Sequence, residues 1–130
     1  RPIASGCENA RGRRPRPAAE IMEINVKRDG VHSTVYVSGD VDLHTSPELR
    51  ETILDLLGKR GQKRVIVDLS EVPYIDSSAI ASLIEGLQEA RKREARFVLV
   101  GLNEGPRHVL ELTRLLGVFE VADSEEAVGE

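Results

Sequence analysis

The order of apolar patterns along the chain limits its fold more than any other feature. From residue 24 to residue 121, short runs rich in β-branched residues alternate with longer runs whose apolar residues recur every three or four positions. The short runs predict strands and the longer runs predict amphipathic helices. Their order is β-β-α-β-α-β-α-β, followed by a short helical stub. Strands separated by helices favour an α/β fold with a mixed, mainly parallel sheet of four to five strands and helices packed against it.

The first two strands are expected to pair as an antiparallel hairpin. Ile24 and Val26 alternate with polar residues, which predicts a half-buried strand. Asp29-Gly30 follows as a turn signal, because glycine readily supplies the positive φ of a tight hairpin. Residues 34–38 are then the second strand.

Capping signals bound the predicted helices. Thr45 or Ser46 can serve as the N-cap of the first helix, with Pro47 at the first helical position and Gly58 at the end. The second helix is expected from about residue 77 to residue 93. The third begins at residues 105–106 and is stopped by the glycine at 117. Its predicted apolar face consists of Val109, Leu110, Leu112, Leu115 and Leu116.

The remaining strands are short apolar runs. Residues 65–67 are rich in β-branched residues and predict a strand covered on both faces, and residues 96–102 predict another buried strand. Residues 118–121 are expected to form the last strand.

Charge divides the 130-residue chain into two parts. Residues 1–21 contain five arginines and two glutamates, a net charge of +3, and the remainder carries −7. The basic part has no hydrophobic period and is rich in Pro, Gly and Arg, which predicts a disordered extension. A basic arm for nucleic acid or an acidic partner is the alternative. The acidic remainder, with few aromatic residues, predicts no direct nucleic-acid binding.

Cysteine content and hydropathy indicate the cellular compartment. One cysteine, Cys7, permits no internal disulfide and fits a reducing environment. No apolar run reaches the length of a membrane span, which predicts no membrane insertion. We therefore expect a cytoplasmic protein. The sequence defines no oligomeric state.

The most distinctive local feature is the sequence Asp76-Ser77-Ser78 at the start of the second predicted helix. Asp and Ser are preferred N-caps, so capping alone can account for it. A phosphate on Ser77 would also meet helix N–H groups and the positive end of the helix dipole. It would add about two negative charges beside Asp76 and block a partner docked there. Capping and a phosphorylation switch are compatible.

Enzyme motifs are not found. The residues around Ser77 do not match the Gly-x-Ser-x-Gly nucleophile motif. His32, His44 and His108 have no metal-like spacing to one another or to the cysteine. No glycine-rich phosphate loop is present. The sequence predicts a protein without catalytic residues, metal or cofactor.

Three stretches together resemble the STAS domain, and in particular the bacterial anti-sigma-factor antagonists. They are VSGDVDLHTSPELRETI, VIVDLSEVPYIDSSAIASL, and RFVLVGL with the later TRLLGVFEV. The resemblance covers roughly residues 22–128 and implies a STAS domain over 22–130. Ala79 departs from the pattern, since the family usually has glycine there. Its methyl group would either crowd a partner or strengthen the first helical turn.

The resemblance implies a partner switch. Ser77 matches the serine that is phosphorylated by a partner that is both anti-sigma factor and serine kinase. The unphosphorylated protein would bind that kinase and free a sigma factor, and a PP2C-type phosphatase would reset it. The alternative is an unphosphorylated regulatory subunit of a lipid ABC transporter. The implied partner-binding residues are Asp40, Asp42, Thr45, Asp76, Ser78, Ile80 and Ala81.

Overall fold

A computed structural model describes residues 22–128. They form one five-stranded sheet in the order β1-β2-β3-β4-β5, with β1 antiparallel to β2 and the other pairs parallel. The predicted element order and the mixed, mainly parallel sheet are confirmed. The strands are β1 Glu23–Asp29, β2 His32–Ser38, β3 Arg64–Glu71, β4 Arg96–Val100 and β5 Glu120–Ala122. The helices are α1 Ser46–Leu57, α2 Ser77–Lys92, α3 Glu104–Leu112 and α4 Glu125–Val128.

The main core lies between one face of the sheet and the helices α1 and α2. Alternate residues of the strands meet the apolar faces of both helices in one buried cluster. The two helices approach each other closely at Gly86, where a Cβ atom would lie 2.8 Å from Ile53 Cγ2 and 3.1 Å from the ring of Phe97. Tight packing of α2 fixes the position of its first turn, where the serine pair lies.

The opposite face of the sheet is covered differently. Ile66, Val98 and Val100 are buried there against Val128 of α4. The predicted burial of β3 and β4 on both faces is therefore confirmed. Glu125 of α4 accepts hydrogen bonds from the Tyr36 hydroxyl at 2.7 Å and from Lys27 Nζ at 3.1 Å.

The prediction for β1 was partly wrong. Ile24 packs against the main core, but the Val26 side chain is 42 % exposed. The reason is position, because β1 is the edge strand and Val26 lies at an open cleft beside α1. The hairpin itself is confirmed, with Gly30 at φ +63°.

The ends of α1 and α2 agree with the prediction except at Pro47. Helix α1 begins at Ser46 with Thr45 as the preceding residue, but the Thr45 side chain makes no capping hydrogen bond. Pro47 is accordingly the second helical residue. Helix α2 ends at Lys92 with Arg93 as its C-cap, which agrees with the expected end at about residue 93.

Helix α3 is shorter than its apolar pattern predicts. It starts at Glu104 and ends at Leu112, whose side chain is 71 % exposed. The left-handed conformation of Arg114, with φ +62°, breaks the helix before Gly117. Leu115 therefore packs on the core from outside the helix. The last strand begins two residues later than expected and covers residues 120–122.

Candidate functional site

Two loops meet at the carboxyl ends of β2 and β3. Val41 and Ile75 form an isolated parallel bridge between the loops. The Val41 N–H donates to the Tyr74 carbonyl at 3.1 Å, and the Asp76 N–H donates to the Val41 carbonyl at 3.3 Å. Main-chain pairing therefore brings residues 40–45 beside the start of α2.

The Asp76 carboxylate joins the two loops. Its Oδ1 atom accepts the N–H groups of Ser78 at 2.9 Å and Ala79 at 3.1 Å, so the predicted N-cap of α2 is confirmed. Its Oδ2 atom accepts the N–H of Leu43 at 3.1 Å. One side chain both caps the helix and fixes the neighbouring loop.

The loop between β2 and α1 is organised around Asp42. Its Oδ1 atom accepts the N–H groups of His44 at 2.9 Å and Thr45 at 3.1 Å. The Thr45 hydroxyl accepts the Asp42 N–H at 2.9 Å and lies 3.0 Å from the Asp40 carbonyl oxygen. Thr45 thus stabilises the loop rather than capping α1.

Electrostatics keep Asp42 ionised. Burial raises the pKa of Asp42, but the backbone donors, the Thr45 hydroxyl and the nearby His44 together hold that pKa below its usual value. The loop residues 39–45 and 72–79 contain three aspartates and no Lys or Arg. The surface formed by these loops is therefore acidic.

Ser77 is the first residue of α2 and its side chain is exposed. The two other serines in this helix are less accessible, since Ser78 is partly buried and Ser82 is buried. We expected a phosphate here to meet helix N–H groups, but Asp76 already accepts those of Ser78 and Ala79. A phosphate on Ser77 would therefore compete with Asp76 for the helix N-terminus.

The other proposed docking residues differ in how far they are exposed. Ala81 is exposed, and Asp40 is partly buried. Ile80 is only 6 % exposed and belongs to the main core, so it offers little surface to a partner. Ala79 is fully buried, so its methyl group packs inside the protein and does not crowd the docking surface.

Two exposed apolar side chains at this surface were missed by the sequence reasoning. Leu43 is 67 % exposed and Tyr74 is 51 % exposed. Both belong to the paired loops, and the Leu43 backbone is bonded to Asp76. The sequence did offer one signal: both are large apolar residues in predicted loops, where no strand or helix pattern requires an apolar side chain. They make the surface partly apolar as well as acidic.

A third loop supports the one that carries Tyr74. The Asn103 side-chain amide donates to the carbonyl oxygens of Ser70 at 3.0 Å and Val72 at 3.1 Å. A Cβ atom on Gly105 would lie 2.7 Å from the Pro73 carbonyl oxygen, so the start of α3 lies directly against this loop. The β4–α3 connection therefore positions the approach to Ser77.

Residues 22–128 contain neither a candidate metal centre nor a candidate membrane span. No three His, Cys, Asp or Glu side chains in that range are grouped to hold a metal ion. None of the helices in the same range combines the length and apolar character needed to cross a bilayer.

Comparison with known proteins defines the class. The family model of the STAS domain matches residues 23–128, and the chain belongs to this family. The anti-sigma-B factor antagonist of Listeria monocytogenes is 30 % identical over 105 residues, covering 80 % of this chain and 91 % of the relative. The antagonist of the same name from Staphylococcus aureus is 26 % identical over 92 residues, covering 71 % and 84 %.

Solved structures agree in fold. An anti-sigma factor antagonist from Mycobacterium paratuberculosis has a TM-score of 0.72 at 24 % identity, covering 82 % of this chain and 89 % of its own. The unphosphorylated form of the anti-sigma factor antagonist SpoIIAA has a TM-score of 0.71 at 18 % identity, covering 82 % and 93 %. SpoIIAA of Bacillus in its phosphorylated form has a TM-score of 0.66 at 18 % identity, covering 82 % and 96 %.

Proposed function

We propose that this chain is an anti-sigma factor antagonist that binds an anti-sigma factor through the surface around Ser77. The observation that carries the proposal is the exposed Ser77 hydroxyl, beside the Asp76 carboxylate that joins both loops. The curated relatives named above are anti-sigma-B factor antagonists, which supports this assignment. The chain then acts as a regulatory binding protein, in the cytoplasm with its partner, and affects sigma-factor-dependent transcription.

Phosphorylation of Ser77 supplies the switch. The partner, acting as a serine kinase, transfers the terminal phosphoryl group of ATP to the Ser77 oxygen, and the hydroxyl proton and ADP leave. The product carries about two added negative charges beside Asp76. A bound partner would have to cover this hydrated group together with Leu43 and Tyr74, so its affinity falls. A PP2C-type phosphatase restores the hydroxyl by hydrolysis.

The docking surface in this proposal differs from the one that the sequence suggested. It keeps Asp40, Asp42, Thr45, Asp76, Ser78 and Ala81 and adds Leu43 and Tyr74. Ile80 is left out as a contact because it is buried in the core. The transporter-subunit alternative is disfavoured, since the relatives described above are antagonists by name.

The direct test is peptide mapping by mass spectrometry after incubation with ATP and the candidate kinase from the same genome. We expect one added phosphate, on Ser77. Ser77→Ala should remove it, and Ser78→Ala is the matched control that should retain it. Phosphate on Ser78 or Ser82 would refute the site. No phosphate with an active kinase would refute the switch.

The binding half of the proposal has its own measurement. Unphosphorylated protein and Ser77→Ala should bind the anti-sigma factor with similar affinity, and phosphorylated protein should bind at least tenfold more weakly, which corresponds to about 1.4 kcal/mol. Equal affinity of the two forms would contradict the mechanism.

A further inference from the structure

The outer edge of β1 is the longer open strand edge of the sheet. Within residues 22–128, β1 pairs only with β2, and β5 at the other edge has three residues. The seven residues of β1 are exposed apart from Ile24, which is partly buried. An open edge of this length is a template for another strand.

The hairpin determines which backbone groups point to the open edge. A two-residue loop closes β1 and β2 on the pair formed by Asp29 and His32. The hydrogen bond of such a turn joins these two residues, so Asp29 and every second residue before it direct their N–H and C=O groups toward β2. Ile24, Val26 and Arg28 therefore direct theirs outward.

A cleft lies beside this edge on the α1 side. Its volume is about 280 Å³, and it is lined by Val26, Arg28, Thr52, Asp55, Leu56 and Arg60. Lys27, the neighbour of Val26, points to the other side of the sheet, where it contacts Glu125. The edge therefore has a mixed apolar and polar side facing α1 and a charged side facing α4.

The sequence of β1 is complementary to itself in one register. Antiparallel pairing of two β1 strands about Asn25 places Ile24 opposite Val26 and Glu23 opposite Lys27, each twice. Ile24 and Val26 have outward backbone groups and would form the hydrogen-bonded pairs. Glu23 and Lys27 would form the non-hydrogen-bonded pairs, in which side chains lie closer together. In this register the direction of the backbone groups, the apolar pairs and the opposite charges are all compatible with strand pairing.

Registers shifted toward the hairpin turn do not share this agreement. Pairing centred on Val26 places Glu23 opposite Asp29, and pairing centred on Lys27 places that lysine opposite itself. Like charges directly opposite each other destabilise a sheet. Pairing centred on Ile24 avoids like charges but places Glu23 opposite Asn25, so it lacks the Glu23–Lys27 pairs. Charge therefore favours the register centred on Asn25.

We propose that two copies of this chain associate through their β1 edges, in a symmetric antiparallel pairing centred on Asn25. The two sheets then form one continuous sheet, and the Ile24 side chain of each copy covers Val26 of the other beside the cleft. A two-fold axis through the Asn25 pair makes the interface the same surface on both copies. The proposal is independent of the function assigned to Ser77.

The main test is the mass of the full chain by sedimentation equilibrium over a concentration series. We expect twice the chain mass at high concentration. Val26→Pro should give the mass of one chain, because it removes an outward N–H while leaving the bonds of β1 to β2 intact. Glu23→Lys should weaken association at least tenfold, and Glu111→Lys on α3 is the control with the same change in net charge.

A mixing experiment tests the register. Lys27→Glu alone places two glutamates opposite each other and should also weaken association. A mixture of Glu23→Lys with Lys27→Glu chains restores opposite charges at both pairs, so a mixed dimer should form. Wild-type protein that stays monomeric, or a dimer unaffected by Val26→Pro, would overturn the proposal. A monomer whose Ile24 and Val26 amides resist hydrogen exchange would also overturn it, because another part of the chain would then cover the edge.

Discussion

At the scale of single residues, Asp76 has the largest structural role at the site. It holds the N-terminus of α2 and the backbone of Leu43 with one carboxylate. We expect Asp76→Ala to lower the free energy of unfolding by about 1–2 kcal/mol, because it removes a cap and one further hydrogen bond. Asp76→Asn should cost less, since its side-chain oxygen can still cap α2 while its amide nitrogen cannot accept from Leu43.

Urea denaturation of the three proteins measures this difference. Glu51→Ala, at an exposed position in the middle of α1, is the control and should change stability by less than about 0.5 kcal/mol. Asp76→Ala with wild-type stability would show that the carboxylate does not hold the two loops.

At the scale of elements, Asn103 links α3 to the loop that leads to Ser77. Its amide donates to the carbonyls of Ser70 and Val72. Asn103→Asp replaces the donor with a carboxylate that faces the same carbonyls, so we expect the loop to separate from α3. Backbone amides of residues 72–76 should exchange faster with solvent, while those of β3 remain protected. The control is His108→Ala on the exposed side of α3, and unchanged exchange in Asn103→Asp would contradict the role.

The contact of α4 with the sheet should depend on pH. The Tyr36 hydrogen bond lowers the pKa of Glu125, burial raises it, and Lys27 lowers it further, with a net decrease. A depressed folded pKa means that the contribution of Glu125 is present above its unfolded pKa, about 4.3, and is lost as pH falls through the folded value. The hydrogen bond to Glu125 and burial raise the pKa of Tyr36. Its contribution is therefore present below an unfolded pKa of about 10 and is lost as pH rises through the folded value.

An NMR titration of backbone amides measures the acid and the alkaline limits of the contact between α4 and the sheet. We expect the α4 signals to shift in acid below about pH 4.3 and again in alkali above about pH 10. Tyr36→Phe removes the donor and should move the acid change of α4 toward higher pH. An acid transition of α4 unchanged in Tyr36→Phe would show that this hydrogen bond is not what lowers the pKa of Glu125.

Local signals predicted most of the elements, and long-range contacts account for the differences. The hairpin was readable from Asp29-Gly30, and the cap of α2 from Asp76, because both depend on residues close in sequence. The exposure of Val26 was not readable, since it depends on which strand lies at the edge of the sheet. The roles of Leu43 and Asn103 come from hydrogen bonds to residues more than 30 positions away. The burial of Ile80 depends on how α2 is rotated against the core.

At the scale of the whole molecule, the docking surface lies on the acidic part of the chain. Residues 22–130 carry a net charge of −7, and the two loops contribute three aspartates without a basic residue. We infer that the partner presents a basic surface. Long-range attraction should then raise the association rate, and salt should reduce this effect because the Debye length falls from about 10 Å at 0.1 M to 3 Å at 1 M.

A negative charge at Ser77 has two separable effects on binding. Ser77→Asp adds a negative charge to a surface that attracts a basic partner, so steering alone would leave the association rate equal or higher. The same charge must be desolvated when the partner covers it, so the dissociation rate should rise and the overall affinity should fall. Stopped-flow kinetics at low and high salt measure both rates, with Ser77→Asn as the neutral control of similar size. A lower association rate with an unchanged dissociation rate would show that the added charge acts at a distance, and not by disturbing the bound interface.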